Sequence, residues 1–244
     1  MIRRVVSAAL LVRDAFTGQP IVSGASLRCA LDGQSVRPLW KPGGYLVLTD
    51  LAPGEHSLLL SCRSFRDQVH SFSTENGMWE REIDMEPAEN YPNLRGAALL
   101  RLTLKGKHGP EAGASLWAAV SDPVSLRLAQ APDNETTELR LICRGPAERL
   151  SLPGWFLAAD EGKEGPELLH LRYLRGETGI FDAPMTKKHP RGTELFRARQ
   201  LVADADGRID AAFRSGGKLV LFQDGKWKTF ALETGTQTLE WKEG

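Results

Sequence analysis

The sequence predicts an all-β protein made of two tandem sandwich units. Three observations lead to this prediction: segments of alternating apolar and polar residues, turn residues at regular intervals, and an internal repeat. Of the 244 residues, 41% are hydrophobic and 25% are charged, which is ordinary for a globular protein. No long amphipathic helical pattern is found along the chain.

The first predicted unit, residues 1–86, consists of short strands separated by turns. Glycine and proline mark the turns, as at Gly18 with Pro20 and at Pro53 with Gly54. Turn signals spaced by about 8–12 residues are typical of a β-sandwich. The predicted strands occupy residues 5–12, 24–31, 43–51, 55–62, 66–73 and 78–85.

An internal repeat indicates that the sandwich is duplicated. The tetrapeptide Ala-Ala-Leu-Leu occurs at 8–11 and again at 97–100, and Gly-Ala-Ser-Leu occurs at 24–27 and again at 113–116. Both pairs share one offset of 89 residues, with no gap between them. Self-similarity at a fixed offset is the mark of a repeated structural unit.

The N-terminus permits two interpretations. Two arginines followed by an apolar run resemble the start of a secretory signal peptide, but the same run begins the repeat and its twin lies in mid-chain. Arg13 and Asp14 follow the run directly, and no small-residue cleavage site precedes Phe16. We therefore favour a first strand and a cytoplasmic protein. A mature chain beginning near residue 16 would favour the signal peptide.

The second predicted unit, residues 95–244, is a sandwich interrupted by an insertion. A Pro- and Asn-rich linker at 87–94 precedes it. After the duplicated strand pair the similarity is lost, and residues 206–241 then repeat the order of turns and strands of residues 43–83. The predicted insertion, about residues 121–203, is itself rich in alternating segments. Long loop insertions are tolerated because loop-closure entropy grows slowly with length.

Composition narrows the classes of function. Lys+Arg and Asp+Glu are equal at 31 each, which argues against a dedicated nucleic-acid-binding protein. No apolar run approaches the ~18–20 residues of a membrane-spanning helix. Three cysteines without a CxxC pair predict neither a disulfide framework nor a zinc site. Reduced buried thiols are favoured, and a Cys29–Cys62 bridge is the alternative.

The turn motifs of the first unit resemble those of the carboxypeptidase regulatory-like, or transthyretin-like, sandwich. The resemblance covers about residues 3–86 and both ends of the second unit. It implies the fold but no function, because this sandwich serves enzymes, receptors and assemblies. Gly24 in this motif is expected to permit close backbone approach. The matching residues are Asp14, Thr17, Gly18, Pro20, Gly24, Ala25, Gly44, Tyr45, Asp50, Leu51, Pro53 and Gly54.

Part of the insertion is similar to a small β motif of phage-tail and contractile-injection baseplate proteins. In that motif a glutamate precedes a strand, and a Pro-x-x-x-x-His-x-x-Gly-Thr turn follows. Met185 stands where the family has leucine, and residues 152–155 replace its glycine-rich entry. The resemblance implies a role in a protein assembly. The matching residues are Glu167, Pro184, His189, Gly192 and Thr193.

The aspartates at 204, 206 and 210 permit a calcium-binding interpretation. Asp204, Asp206 and Asp210 place three carboxylates within seven residues. However, Gly207 is at loop position four rather than six, and Ser215 replaces the glutamate of position twelve. We favour a turn between strands, with weak calcium ligation as the alternative. The histidines form no HExxH motif, and no GxSxG motif occurs.

The six tryptophans suggest either sugar stacking or core packing. Trp79 and Trp241 are interpreted as equivalent positions near the ends of the two units, which favours the structural role.

These observations favour a non-enzymatic structural protein, without metal or cofactor, that binds other subunits of a phage-tail-like or contractile-injection assembly. The alternative is a carbohydrate- or cell-surface-binding module. An enzyme ranks third, and it would need a cleft that joins His170 or His189 to Glu167 or Asp182. A homo-oligomer is left open, whereas membrane insertion and nucleic-acid partners are not expected.

Overall fold

A computed structural model describes residues 4–22, 27–92, 94–107, 109–121, 124–133, 135–146, 150–159 and 165–242. All the regular secondary structure in these ranges is β-strand, which confirms the predicted all-β class. A membrane-crossing helix is not found in the part of the chain that the structure describes. The chain divides into two compact units, Met1–Leu94 and Arg95–Gly244.

Unit 1 is a sandwich of two four-stranded sheets, in the orders β4-β5-β1-β8 and β3-β2-β6-β7. Alternate residues of β1, such as Leu10 and Val12, face Leu58, Leu60 and Phe72 of the other sheet in one core. The strands are β1 (Val6–Asp14), β2 (Arg28–Leu31), β3 (Gln34–Val36), β4 (Leu39–Lys41), β5 (Tyr45–Thr49), β6 (Glu55–Cys62), β7 (Phe65–Ser73) and β8 (Trp79–Met85).

Asp14 organises the turn after β1. Its Oδ1 accepts hydrogen bonds from the N–H groups of Phe16 and Thr17, at 2.8 and 3.3 Å. Its Oδ2 accepts from the hydroxyls of Thr17 and Tyr91, at 2.8 and 2.6 Å. Gly18 completes the turn with a φ of 72°, a conformation that suits glycine. The Asp-x-x-Thr-Gly motif is therefore a hydrogen-bonded turn.

The predicted linker, residues 87–94, belongs to unit 1 rather than standing between the units. Ala88 donates its N–H to the Ser64 carbonyl at 3.0 Å, and Pro87 forms a β-bridge with Phe65. The ring of Tyr91 lies 5.5 Å from that of Phe65. Composition predicted a Pro- and Asn-rich connector, and in the structure the ring of Tyr91 on this segment packs against unit 1.

Unit 2 contains thirteen strands, counted over its described residues. They are β9 (Ala98–Gly106), β10 (Gly109–Pro110), β11 (Ser115–Val120), β12 (Ser125–Leu128), β13 (Glu138–Arg144), β14 (Gly154–Ala159), β15 (Glu167–Arg175), β16 (Thr178–Phe181), β17 (Glu194–Val202), β18 (Arg208–Phe213), β19 (Gly217–Gln223), β20 (Lys226–Leu232) and β21 (Gly235–Lys242).

The strand pairing of unit 1 recurs in unit 2. In unit 1, β1 lies between antiparallel β5 and parallel β8. In unit 2, β9 lies between antiparallel β18 and parallel β21. The series β2-β6-β7 likewise corresponds to β11-β19-β20. The strands around the predicted insertion therefore form a second sandwich with its own core.

The insertion forms a closed antiparallel ring of six strands, β12-β13-β16-β15-β14-β17, in which β17 returns to β12. The first half of β17 pairs with β14, and its second half pairs with β11 of the sandwich. The ring and the sandwich thus share one strand within a nine-stranded sheet. Leu126, Leu141, Phe156, Leu171 and Phe181 belong to the core of the ring.

The predicted equivalence of Trp79 and Trp241 is wrong. Trp79 lies opposite Ala8, whose repeat counterpart is Ala97. Trp241 lies opposite Leu104, seven residues further along the chain. Both tryptophans are in the last strand of their unit. The register of each strand is set by its pairing with the neighbouring strand, and the similar sequence pattern did not reveal that register. The Gly-Ala-Ser motif at 24–26 and His108 lie outside the described residues.

Gly44 is expected to tolerate alanine poorly because a Cβ there would lie 2.4 Å from the Cβ of Pro20. Its φ is +84°, so backbone strain adds to the steric clash. Gly33→Ala is the matched control, since φ is +79° and no atom lies within 4 Å of its added Cβ. We expect Gly44→Ala to lower the free energy of unfolding by about 1–3 kcal/mol more than the control does. Equal losses in chemical denaturation would contradict the close approach.

Candidate functional site

A buried carboxylate–imidazole pair lies at the start of β15 in the six-stranded ring. Glu167 begins β15, and His189 lies in the segment that leads to β17. His189 Nε2 and Glu167 Oε2 are 3.1 Å apart, and their side chains are 0% and 9% exposed. The two residues, singled out from the sequence as candidates, are therefore brought together in the interior.

Glu167 also holds the backbone of the same segment. Thr186 donates both its N–H and its hydroxyl to Oε1, at 2.6 and 2.7 Å, and Lys187 donates its N–H to Oε2 at 3.2 Å. Burial alone would raise the pKa of Glu167, but the hydrogen bonds from His189, Thr186 and Lys187 lower that pKa to about 2. The ionised carboxylate thus serves as a structural acceptor.

The remaining residues of the baseplate-like motif complete this turn. Gly192 has a φ of 90° and donates its N–H to the Leu128 carbonyl at 2.8 Å. Thr193 donates its hydroxyl to the Pro190 carbonyl at 2.9 Å. Met185 is buried in the core of the ring. The motif is therefore one folded segment that connects β16 to β17 and packs Met185 into the core of the ring.

A second histidine–carboxylate pair lies at the surface of the ring. His170 Nδ1 and Asp182 Oδ2 are 2.5 Å apart, and Arg172 Nε donates to the other oxygen of Asp182. Burial would raise the pKa of Asp182, but the hydrogen bonds from His170 and Arg172 lower it. The side chains of Arg172 and Asp182 are 63% and 38% exposed. This group is accessible to a ligand.

Two tryptophans extend the surface group into a row of rings. Trp155 lies opposite His170 in the β14–β15 pair, with 4.7 Å between ring centroids. Trp117, on β11, lies 5.0 Å from Trp155 at an interplanar angle of 47°. Side chains alternate along a strand, so Trp155 points away from the core that contains Phe156. We call Trp117, Trp155 and His170 the aromatic platform, and Arg172 with Asp182 its polar rim.

The other four tryptophans have different environments. Trp241 is buried in the core of the second sandwich, and Trp40 packs against the core of the first. Trp79 stacks on Phe72 with centroids 4.3 Å apart. Trp227 is exposed on β20. Core packing therefore accounts for some of these four tryptophans, whereas Trp117 and Trp155 are half-buried and pack against a separate buried cluster of the nine-stranded sheet.

The three candidate calcium ligands have separate roles in and beside one turn. Asp204 Oδ1 accepts hydrogen bonds from the N–H groups of Asp206 and Arg208, at 2.9 and 2.8 Å. Asp210, on β18, lies 3.8 Å from the guanidinium of Arg101. No group of three or more His, Cys, Asp or Glu side chains suited to a metal occurs among the described residues.

All three cysteines are free thiols in the structure. Cys29 is buried in the core of unit 1, and burial raises its pKa to about 11. A neutral thiol at neutral pH is a poor nucleophile, so Cys29 serves as an apolar packing residue.

A buried cation in unit 1 was not predicted from the sequence. Arg13, on β1, is 1% exposed, and its guanidinium lies 2.5 Å from Glu82 and 3.2 Å from Asp84 on the neighbouring parallel strand β8. A charged residue at the end of an apolar strand was the available signal, but its partners are far away in sequence.

The fold and its sites define an all-β chain of two sandwich units with a closed ring inserted in the second. No family model matches the chain. No curated protein matches it either.

Among the solved structures that are similar to this chain, two illustrate how low the TM-scores are. The Bacillus anthracis TIE protein is 8% identical, with a TM-score of 0.28 over 98% of this chain. This chain spans 33% of that protein's length. The Bacillus cereus major pilin subunit BcpA is 10% identical, with a TM-score of 0.27 over 98% of this chain and 99% of the pilin. TM-scores this low do not establish a common topology, and the transthyretin-like assignment stays a prediction from motifs.

Proposed function

We propose that this chain is a non-enzymatic structural subunit that binds other proteins in an assembly of the phage-tail-like or contractile-injection type. The observation that carries the proposal is an exposed edge strand, β7. It carries an exposed apolar residue, whereas natural edge strands usually carry charged residues that prevent pairing with another chain. Exposed sheet edges are templates for pairing with another chain.

β7 has nine residues and lies at one edge of its sheet. Its start is covered, because Arg66 donates its N–H to the Glu86 carbonyl at 2.8 Å. Beyond Arg66, the pairings among the described residues join β7 to β6 alone. Val69 is 64% exposed there and lies opposite Leu59, which faces away from the core.

The non-enzymatic part of the proposal is supported by the two histidine–carboxylate pairs. His189 and Glu167 are buried and engaged in holding a turn, and His170 and Asp182 are joined to Arg172 at the surface. These arrangements have a structural explanation in hydrogen bonding. The turn that resembles a baseplate motif supports the finer assignment to a tail-like assembly.

The test is to purify the tagged full chain from its source cells and to identify the proteins that co-purify with it by mass spectrometry. We expect tube, sheath or baseplate subunits to co-purify with the wild-type chain, and Val69→Lys to reduce their recovery at least about tenfold by placing a charge on the edge. Val22→Lys is the matched control, because Val22 is 60% exposed outside any strand. Absence of all three classes of subunit from the wild-type sample would contradict the proposal.

A further inference from the structure

The aromatic platform is a row of rings on a continuous sheet, and neighbouring rings are tilted by 47° and 39° to each other. β15, β14, β17 and β11 are successive neighbours in the nine-stranded sheet, so backbone hydrogen bonds set the spacing of His170, Trp155 and Trp117. Leu157 and Phe196, which belong to a buried cluster on the same face, support the indoles from below. A preformed site of this kind binds a ligand at little entropic cost.

The polar rim lies beside His170, at one end of the aromatic platform. Asp182 contacts both His170 and Arg172, so it joins the platform to the rim. The guanidinium of Arg172 has further N–H donors, and a carboxylate has up to four acceptor positions. The positive and negative charges of the rim offset each other, so the site offers donors and acceptors without a strong net field.

This combination of groups fits one ligand chemistry. A sugar ring has apolar C–H faces that can stack on an indole, and its hydroxyl groups need both donors and acceptors around them. A purely apolar segment would remove water from Arg172 and Asp182 without offering hydrogen bonds in return, and a phosphate group would find no net positive charge at the rim. Specific sites typically combine aromatic surface with a few placed polar groups. We propose that the aromatic platform and its polar rim bind a neutral saccharide.

The test uses the full chain and neutral oligosaccharides of glucose, mannose, galactose and N-acetylglucosamine, by calorimetry and tryptophan fluorescence. We expect saturable binding of at least one of them and a change in tryptophan emission. Trp155→Ala is expected to weaken this binding at least about tenfold, because the stacking surface is removed. Trp227→Ala, which removes an exposed indole from β20, is the matched control and should retain the affinity.

The variant Arg172→Ala distinguishes a loss of saccharide binding from a loss of folding. Arg172 is largely exposed, so the variant should unfold at the same temperature as the wild type while binding the saccharide several-fold more weakly. The proposal is overturned if none of the four sugar types binds or if Trp227→Ala weakens binding as much as Trp155→Ala. Failure here is distinct from failure of the assembly proposal, since that proposal is tested at Val69 in the other unit.

Discussion

Replacing Glu167 with alanine is expected to lower the free energy of unfolding by about 3–5 kcal/mol, the largest loss that we predict. The substitution removes the acceptor for His189, for the hydroxyl and N–H of Thr186, and for the N–H of Lys187. Because His189 is fully buried, water cannot replace the lost partner without opening the ring. Chemical denaturation of the full chain measures the loss.

Glu177→Ala is the matched control, because Glu177 pairs with Arg140 at 3.2 Å on the exposed surface of the same ring. Exposed ion pairs contribute about 0–1 kcal/mol, so this variant should remain close to the wild type. Comparable losses for the two variants would contradict the assigned role of Glu167.

The effect of Glu167→Ala should depend on pH in a defined direction. The folded-state pKa of Glu167 is about 2, below the ordinary value of 4.5. The stabilisation is therefore fully present above pH 4.5 and is lost as the pH falls toward 2. The shift corresponds to about 3 kcal/mol, so the stability difference between wild type and variant should narrow over this range. A difference independent of pH would show that the charge of Glu167 does not matter.

Replacing Arg13 with alanine is expected to cost about 3 kcal/mol in unit 1. Arg13 is buried between two carboxylates of β8, and its removal places Glu82 and Asp84 side by side without the cation that lies between them. Two like charges near each other in a partly buried site repel, so the parallel β1–β8 pairing should weaken. Thermal and chemical denaturation both measure this loss.

A control and a rescue make the Arg13 prediction specific. Arg101→Ala removes an exposed guanidinium from β9, and we expect a loss below about 1 kcal/mol. Combining Arg13→Met with Glu82→Gln and Asp84→Asn should recover much of the lost stability, because the charges are removed together. Failure of this triple variant to exceed Arg13→Ala in stability would show that the guanidinium acts by shape rather than by charge.

Several strands could be predicted because their residues alternate in burial. The predicted segment 55–62 coincides with β6, in which the core residues Leu58 and Leu60 occupy alternate positions. The turn at Asp14 could also be predicted from the sequence, since most of its hydrogen bonds join residues close in sequence. The short strands β3 and β4 went unrecognised, because three residues are too few to show a period.

The candidate sites could be predicted only in part. Glu167 and His189 were named from a motif, and their direct contact lies within the range that the motif spans. The aromatic platform was not predicted, because Trp117 and Trp155 lie on strands that both pair with β17, and nothing local indicates that pairing. The equivalence of Trp79 and Trp241 failed for the same reason, since strand register depends on the partner.

The sequence by itself determined the all-β class, the positions of many turns and the duplication of the sandwich. Alternation, turn residues and sequence repetition can all be recognised along the chain without knowledge of which strands pair. Only the tertiary structure decided that β12 meets β17 to close the ring, that Arg13 lies between Glu82 and Asp84, and that two tryptophans and a histidine form one platform. These outcomes depend on pairing between strands distant in sequence, which follows from the fit of whole faces and cores rather than from any short pattern.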